Sequence, residues 1–357
     1  MSLSRRKRLL FALSAVALVF LVTTASLLAV DIYLHRRYQK SSMVNVWGYR
    51  GPVLGRKQPG ELRIAFLGGS TAFGYGVNWD EAIPAQLENR LNAHLPAGAS
   101  RVSVANLGFN SEGAFSFVFT IDDYRYLNDD IVCLYEGYND MMGDPANPNT
   151  SVFRHDSTIF RATGYMPIFP LIFREKAAAL RFGGDVNALY RSVRGQETRT
   201  MFRPGLANRT AAGALDASAA ITESLERQVA RIKQEPRRRI VGGETTGCRP
   251  PWGEYCKSVL TAVDRVLALG KRVMVISQPH LPGHLRERHA DQQTTMVAEL
   301  KRRYRDNVRV AYTNMGDALD INDPAMAYDG MHLTVAGNAR VAEWLVEPVR
   351  ALAQAGR

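Results

Sequence analysis

The sequence has few cysteines and lacks a phosphate-binding glycine loop. Three cysteines among 357 residues are too few to build a fold held together by disulfides. The Gly-x-x-x-x-Gly-Lys-[Ser/Thr] pattern does not occur, which excludes a P-loop nucleotide site. Cys133 lies in an apolar run and is predicted to be a small core residue. Cys248 and Cys256 flank a Pro-Pro turn, and both a local disulfide and two free thiols remain open for this pair.

Charged residues are absent from Leu9–Val30, a run of 22 residues that follows four basic residues at positions 5–8. At about 1.5 Å per residue, such a helix is long enough to cross a bilayer. A cleaved signal peptide usually has an apolar region of about 7–15 residues and a small-residue cleavage site, which is not evident here. The sequence predicts a cytoplasmic tail over 1–8, an uncleaved transmembrane anchor over 9–30, a linker over 31–60 and an extracytoplasmic domain over 61–357.

Acidic residues are nearly absent from the first 60 positions. This segment holds ten Lys and Arg residues and one acid, Asp31, so it carries nine of the eleven net positive charges of the chain. Basic residues on both sides of an anchor suit anionic lipid headgroups. The remaining 297 residues are close to neutral, which argues against a nucleic-acid partner.

Short apolar runs alternate with helical patterns along the rest of the chain. Parallel α/β sheets produce this alternation, with strands buried on both faces. The pattern predicts an open, mostly parallel sheet covered by helices on both faces. Its five predicted strands are Leu62–Leu67, Arg101–Asn106, Ile131–Tyr135, Val273–Ser277 and a final one around Val308–Tyr312.

The alternation stops between residues 141 and 250. A segment of roughly 110 residues is far longer than an ordinary connection between strands. We interpret it as an insertion that forms a lid or shapes the substrate site. A partly disordered loop is the alternative that the sequence leaves open.

Three short motifs follow predicted strands or precede a predicted helix, at the edge where parallel sheets bind ligands. In Gly68-Gly69-Ser70-Thr71, the glycines allow a tight turn that presents the Ser70 hydroxyl. A serine needs a base within hydrogen-bond reach to act as a nucleophile. Asp329-Gly330-Met331-His332 can provide that base, with the Asp329 carboxylate three residues before the His332 imidazole. Asn139, in Gly137-Tyr138-Asn139-Asp140, can direct amide N–H groups at an oxyanion.

Together with Gly108 in Asn106-Leu107-Gly108, these motifs resemble the four blocks of the SGNH/GDSL hydrolases, in which Ser, Gly, Asn and His occur in this order. The resemblance covers roughly residues 61–140 and 251–345. It implies a flavodoxin-like three-layer α/β/α fold and hydrolysis of acyl esters through an acyl-serine. It also implies a triad and an oxyanion hole without a cofactor or metal: catalytic Ser70, Asp329 and His332, with oxyanion donors from Ser70, Gly108 and Asn139.

The sequence departs from the family at Gly69, which stands where the usual Gly-Asp-Ser carries aspartate. The predicted function is a membrane-anchored serine esterase that removes acyl groups, in the first instance O-acetyl groups, from a glycan or a lipid. Two alternatives remain: an O-acyltransferase with the same triad, and a non-catalytic binding or assembly protein with this fold. His280, His284 and His289 cluster in sequence, but they lack accompanying cysteines or a compact set of carboxylates and are not predicted to bind a metal.

Overall fold

In the computed structural model of this chain, the described residues are 4–135, 137–142, 150, 152–155, 157–183, 204–233 and 247–355. They form five strands: β1 (Glu61–Gly68), β2 (Arg101–Asn106), β3 (Ile131–Tyr135), β4 (Arg272–Ile276) and β5 (Val310–Thr313). The α-helices are α1 (Arg5–Tyr38), α2 (Ser70–Phe73), α3 (Ile83–Ala93), α4 (Phe117–Asp123), α5 (Tyr138–Met142), α6 (Thr158–Thr163), α7 (Phe169–Phe182), α8 (Leu206–Lys233), α9 (Gly253–Ala268), α10 (Leu285–Tyr304) and α11 (Val335–Gln354). Short 3-10 helices lie at Trp79–Glu81, Ala114–Ser116 and Arg125–Leu127.

The five strands form one parallel sheet in the order β2-β1-β3-β4-β5. This is the strand order of flavodoxin-like folds, in which the chain reverses direction across the sheet between β1 and β3. The predicted fold class is therefore confirmed. The sheet places the ends of all five strands along one edge, and the candidate site residues lie in the segments that follow them.

Helices cover both faces of the sheet because alternate side chains of each strand point to opposite sides. On one face, Ile64 and Phe66 belong to a core shared with Leu87 of α3 and Leu345 of α11. The other face is covered by α4, which packs on β1, and by α9, which packs on β4 and on α4. All eight residues of β1 are buried as a result, and the three-layer α/β/α arrangement holds the loops after its strands in fixed positions.

Helix α1 contains the predicted anchor and extends beyond it. Its most apolar 18-residue window has a mean hydropathy of 2.4 and is not buried, and 22 residues span about 33 Å. By length and composition it is the one helix of the described ranges that can cross a membrane. It continues to Tyr38, into the segment predicted to be a linker.

The rest of the predicted linker also differs from the expectation. Residues 38–60 belong to the same compact unit as the sheet, where Met43, Val44 and Tyr49 are buried. A polar and basic average composition led to the prediction of a linker. Its few apolar side chains, however, are core residues.

The predicted insertion over 141–250 is divided between two compact units. Residues 150–166, where described, belong to the sheet unit, whereas α7 and α8 belong with α1 up to Arg37 in the second unit. In that second unit, the buried Asp31 carboxylate accepts hydrogen bonds from the Ile168 and Phe169 N–H groups (2.8 and 2.6 Å) at the start of α7. Parts of the predicted insertion lie outside the described residues, namely 143–149, 151, 156, 184–203 and 234–246.

Candidate active site

Ser70 lies at the first residue of α2, directly after β1. Gly68 makes this turn possible, because a Cβ there would lie 2.1 Å from the Tyr135 main-chain oxygen. As the first residue of a helix, Ser70 has a backbone N–H without an acceptor inside that helix. The turn thus presents both the hydroxyl and a backbone N–H of Ser70 at the edge of the sheet.

Ser70, His332 and Asp329 form a continuous hydrogen-bonded line. The Ser70 Oγ lies 2.8 Å from His332 Nε2, and His332 Nδ1 lies 2.6 Å from Asp329 Oδ2. The other carboxylate oxygen, Oδ1, accepts the N–H groups of Met331 (3.0 Å) and His332 (2.7 Å). Gly330 between them has φ +77°, a conformation that glycine adopts without strain. The turn therefore fixes the carboxylate against the imidazole.

The surroundings of Asp329 keep it ionised. Its partial burial raises its pKa, but hydrogen bonds from the His332 side chain and backbone, together with the His332 charge, outweigh that effect. The pKa of Asp329 is consequently lowered from its ordinary value. An ionised carboxylate at Nδ1 keeps the proton on that nitrogen and leaves Nε2 as the acceptor for the Ser70 proton.

Two tyrosines flank the His332 imidazole. The ring centroids of Tyr75 and Tyr328 lie 4.9 and 6.0 Å from that of His332, and the Tyr328 hydroxyl donates to the Tyr75 main-chain oxygen (3.1 Å). Both tyrosines are nearly half exposed. They pack beside the imidazole, and no periodic signal in the sequence marked either of them.

Gly108 lies against the helix that begins at Ser70. A Cβ on Gly108 would lie 2.7 Å from the Phe73 nitrogen. Its N–H donates to the Asn106 side-chain oxygen (3.1 Å), while the Asn106 amide donates to the Ala72 main-chain oxygen (3.0 Å). The structure thus brings Gly108 to the site, but its N–H has an acceptor other than an incoming oxyanion.

Asn139 follows β3, in α5. Its side-chain amide donates to the Glu112 main-chain oxygen (2.8 Å). The next residue, Asp140, is buried and accepts the Ala114 N–H (3.0 Å). Burial raises the pKa of Asp140 to about 7. The loop after β2 therefore holds α5 in place at two adjacent positions.

Gln278 joins two of the motifs, and the sequence did not identify it. Its amide donates to the Thr71 hydroxyl (2.7 Å), and its side-chain oxygen accepts the Tyr138 N–H (2.8 Å). It is buried two residues beyond β4. The one signal for Gln278 in the sequence was its position as a polar residue just after a buried strand.

Two of the three histidines that follow β4 lie close together. The rings of His280 and His289 are 5.4 Å apart, and His284 precedes α10. Within the described ranges, no group of three or more His, Cys, Asp or Glu residues is arranged to hold a metal ion. Both ring nitrogens of His289 are buried without a hydrogen-bond partner, and burial and the His280 charge lower its pKa to about 4.

Acid is expected to destabilise the protein through His289. Its imidazole stays neutral in the folded chain down to about pH 4 but is protonated below about pH 6.5 when unfolded. The folded state therefore loses stability as the pH falls from 6.5 to 4, by roughly 3 kcal/mol in total. His289→Met should remove most of this loss, measured as the pH dependence of the thermal midpoint. The exposed His94 provides the control, since His94→Met should leave the dependence unchanged.

A disulfide joins Cys248 to Cys256 at the start of α9, with a Cα–Cα distance of 5.7 Å. The pairing that the sequence left open is thus present. Cys133 is buried as a free thiol in β3. The sheet core therefore contains Cys133 as an ordinary small residue, and the disulfide closes the turn that leads into α9.

The fold and these distances define a class: an α/β protein with a serine, a histidine and an aspartate in hydrogen-bond contact beyond the carboxyl ends of its strands. No family model matches the chain, and no curated protein matches it in sequence. Solved structures that it resembles include a family 3 carbohydrate esterase from Clostridium thermocellum, with 12% identity over 83% of this chain and 100% of that chain and a TM-score of 0.43.

Two other similar structures are a member of the lipolytic protein G-D-S-L family and an acetylxylan esterase. The first, from Veillonella parvula DSM 2008, is 9% identical over 80% of this chain and 97% of that chain, with a TM-score of 0.41. The second, a catalytic mutant from Geobacillus stearothermophilus, is 11% identical over 81% and 94% of the two chains, with a TM-score of 0.40. Activity depends on the side chains at the site rather than on such likeness.

Proposed function

We propose that this chain is a carboxylic ester hydrolase with Ser70 as its nucleophile. The observation that carries the proposal is the line from Ser70 Oγ to His332 Nε2 and from His332 Nδ1 to Asp329 Oδ2, at 2.8 and 2.6 Å. A serine, a base and an orienting carboxylate in this geometry have the arrangement that nucleophilic acyl transfer requires. These residues come from opposite ends of the domain.

In the acylation step, Ser70 Oγ attacks the ester carbonyl while its proton passes to His332 Nε2. Asp329 stabilises the imidazolium that forms. The tetrahedral intermediate then collapses as the C–O bond to the alcohol breaks, and His332 returns the proton to the departing alkoxide oxygen. Water repeats the sequence on the acyl-serine: His332 takes its proton, the acid is released and Ser70 recovers its hydroxyl.

The developing oxyanion requires N–H donors. We assign this role to the Ser70 backbone N–H and to the Asn139 side-chain amide, a two-donor group that also donates to the Glu112 main-chain oxygen. Gly108, the third donor implied by the family resemblance, donates to Asn106 in this structure. It contributes by close packing against α2, and it joins the oxyanion hole only if its N–H exchanges this acceptor for the substrate oxygen.

We infer that residues 9–30 anchor the enzyme in a membrane with the sheet domain outside the cytoplasm. Four basic residues precede the apolar run and three, Arg36, Arg37 and Lys40, follow it closely, so the charge bias toward a cytoplasmic N-terminus is slight and the signal-like layout of the segment carries the orientation. The Cys248–Cys256 disulfide is of the kind that persists in oxidising compartments. In that location the proposed substrate is an O-acetyl ester of a surface glycan, with an acylated lipid as the alternative carrier.

The proposal is tested with the full-length chain in detergent. We expect turnover of a short-chain aryl acetate and covalent labelling by a fluorophosphonate, with both absent in Ser70→Ala. Ser218→Ala in α8 is the matched control and should retain both. Brief reaction with the aryl acetate followed by acid quenching should reveal an acetyl group on Ser70 by mass spectrometry.

Three other outcomes separate the alternatives. Acetyl transfer to an added oligosaccharide in preference to water would identify an acyltransferase with the same nucleophile. Neither turnover nor labelling in the wild type would leave a non-catalytic binding protein. Unchanged turnover or labelling in Ser70→Ala would contradict the assignment of the nucleophile.

A further inference from the structure

We propose that Arg154 is a positioning residue for the oxyanion hole. Its guanidinium binds the peptide group of Gly108 and the Glu112 carboxylate, and through Glu112 it orients Asn139. The inference rests on the proposed ester hydrolysis. It assigns a function to a residue of the predicted insertion, in the part that belongs to the same compact unit as the sheet.

Arg154 is held rigidly in the interior. Its side chain is 1% exposed, and its two terminal nitrogens donate to the main-chain oxygens of Gly48 (3.1 Å) and Leu107 (2.8 Å). The Tyr124 ring covers the guanidinium carbon at 5.2 Å. Because a guanidinium is planar and its donors are fixed in direction, these contacts define a single orientation.

The contact with Leu107 acts directly on Gly108. The Leu107 carbonyl and the Gly108 N–H belong to one planar peptide group, so the hydrogen bond from Arg154 fixes the direction of that N–H. A positive charge on the carbonyl side also makes the N–H a stronger donor. The same peptide lies against Phe73, in the helix that begins at Ser70.

The contact with Glu112 acts on Asn139. One carboxylate oxygen of Glu112 pairs with Arg154 at 3.4 Å, and the other accepts the Phe153 N–H (2.8 Å). Held at both oxygens, Glu112 keeps its main-chain carbonyl where the Asn139 amide donates to it (2.8 Å). The preceding Ser111 has φ +63°, a strained conformation for a non-glycine residue. The contacts of Glu112 help to hold this strained loop.

Arg154 remains charged in this environment. Burial by itself lowers its pKa, but the facing Tyr124, Glu112 and Asp123 outweigh burial and raise the pKa above its ordinary value. The guanidinium beside Glu112 and the Leu107–Gly108 peptide therefore carries its positive charge at neutral pH. One buried cation thus acts on the Gly108 peptide, which packs against the helix of Ser70, and through Glu112 on Asn139, the proposed side-chain donor to the oxyanion.

The test compares Arg154→Lys and Arg154→Met in the full-length chain in detergent, with an aryl acetate as substrate. Oxyanion donors act in the transition state and hardly in the bound substrate. We therefore expect kcat to fall about 10- to 100-fold in Arg154→Met, with KM changed less than about threefold. Arg154→Lys should recover part of kcat. Because Arg154→Met removes one member of the buried ion pair with Glu112, the double variant Glu112→Gln, Arg154→Met provides a second form in which both charges of that pair are removed.

Arg63 is a matched control for burial and charge. It is buried, pairs with Glu61 at 2.7 Å and donates to the Leu127 main-chain oxygen (3.0 Å), but it lies near the start of β1, at the opposite end from Ser70. Arg63→Met should lower the thermal midpoint and leave kcat per labelled active site within about twofold. A general structural effect would lower kcat equally in both variants.

A mutant cycle with Asn139→Ala separates positioning from general damage. If Arg154 acts through Asn139, the combined variant should lose less in kcat than the product of the two single losses. If the wild type is active but kcat is unchanged in Arg154→Met, only the positioning role is overturned. The same holds if the kcat losses of Arg154→Met and Asn139→Ala multiply fully in the combined variant. A wild type without turnover or fluorophosphonate labelling overturns the proposed function, and the positioning role with it.

Discussion

Replacing His332 by alanine is expected to lower kcat for an aryl acetate by about 10⁴-fold or more, an effect comparable to the loss of Ser70 itself. The imidazole is the group within hydrogen-bond reach of the Ser70 hydroxyl, at 2.8 Å. Without it the serine keeps its proton, and the alcohol leaves without protonation. KM should change little, because the imidazole acts on the reacting atoms. Steady-state kinetics, normalised to folded protein, provide the measurement.

The structure supplies a control and a complementary variant for this result. His94→Ala changes an exposed histidine after α3 and should leave kcat unchanged. Asp329→Asn retains the shape of the turn but removes the charge that orients the imidazole, so kcat should fall by about 10⁴-fold with the fold intact. A His332→Ala enzyme that retains more than a tenth of wild-type kcat would rule out His332 as the base.

The sequence predicted the sheet well because its signals are local. Five short apolar runs, each followed by polar or glycine residues, marked all five strands, and the observed parallel order confirms the fold class. The last strand begins at Val310 rather than at Val308, and Val308 is exposed. Strand ends are decided by pairing with the neighbouring strand, which local periodicity does not report.

The site was predicted in outline for a different reason. Ser70, His332 and Asp329 belong to short motifs whose residue types are tied to one chemistry, and the structure brings them into contact across 262 positions of sequence. Their catalytic roles stay predictions. The Gly69 departure does not prevent this geometry, because the Ser70 turn depends on the close approach at Gly68.

The supporting residues could not be predicted because each depends on a distant partner. Gln278 contacts Thr71 across 207 positions, and Arg154 contacts Leu107 across 47. Neither residue lies in a motif. A buried arginine is also contrary to expectation from composition, since arginine is rarely buried unless it is paired. Only the folded chain shows that Glu112 provides the pairing.

These supporting residues explain how a strained loop can serve a site. The segment after β2 contains Gly108, which must pack closely against α2, and Ser111, which adopts a left-handed conformation. Such a loop would relax in isolation. Arg154 and Asp140 bind it from two sides, through the Leu107 carbonyl and the Ala114 N–H. Under the proposed positioning role of Arg154, the inserted segment contributes to the site even though the strands and motifs lie outside it.

Gly68→Ala is expected to have the largest effect on stability. A Cβ at this position would lie 2.1 Å from the Tyr135 main-chain oxygen and 2.7 Å from Ala72 Cβ. The Tyr135 main chain on one side and helix α2 on the other have no flexible side-chain end that could move away from the added Cβ. The strand pairing of β1 with β3 must therefore shift, at a cost of about 3 kcal/mol or more. A drop in the thermal midpoint of several degrees or a loss of soluble folded protein should be observed.

Gly213→Ala is the matched control for this change, because a Cβ there would meet nothing within 4 Å and Gly213 lies inside helix α8. Alanine favours a helix over glycine by up to about 1 kcal/mol, so this variant should be as stable as the wild type or more stable. A Gly68→Ala protein with a wild-type midpoint would show that β1 and β3 have room at this position. That result would remove the physical reason for glycine before the nucleophile, since the tight approach of β3 to the Ser70 turn is what excludes a side chain there.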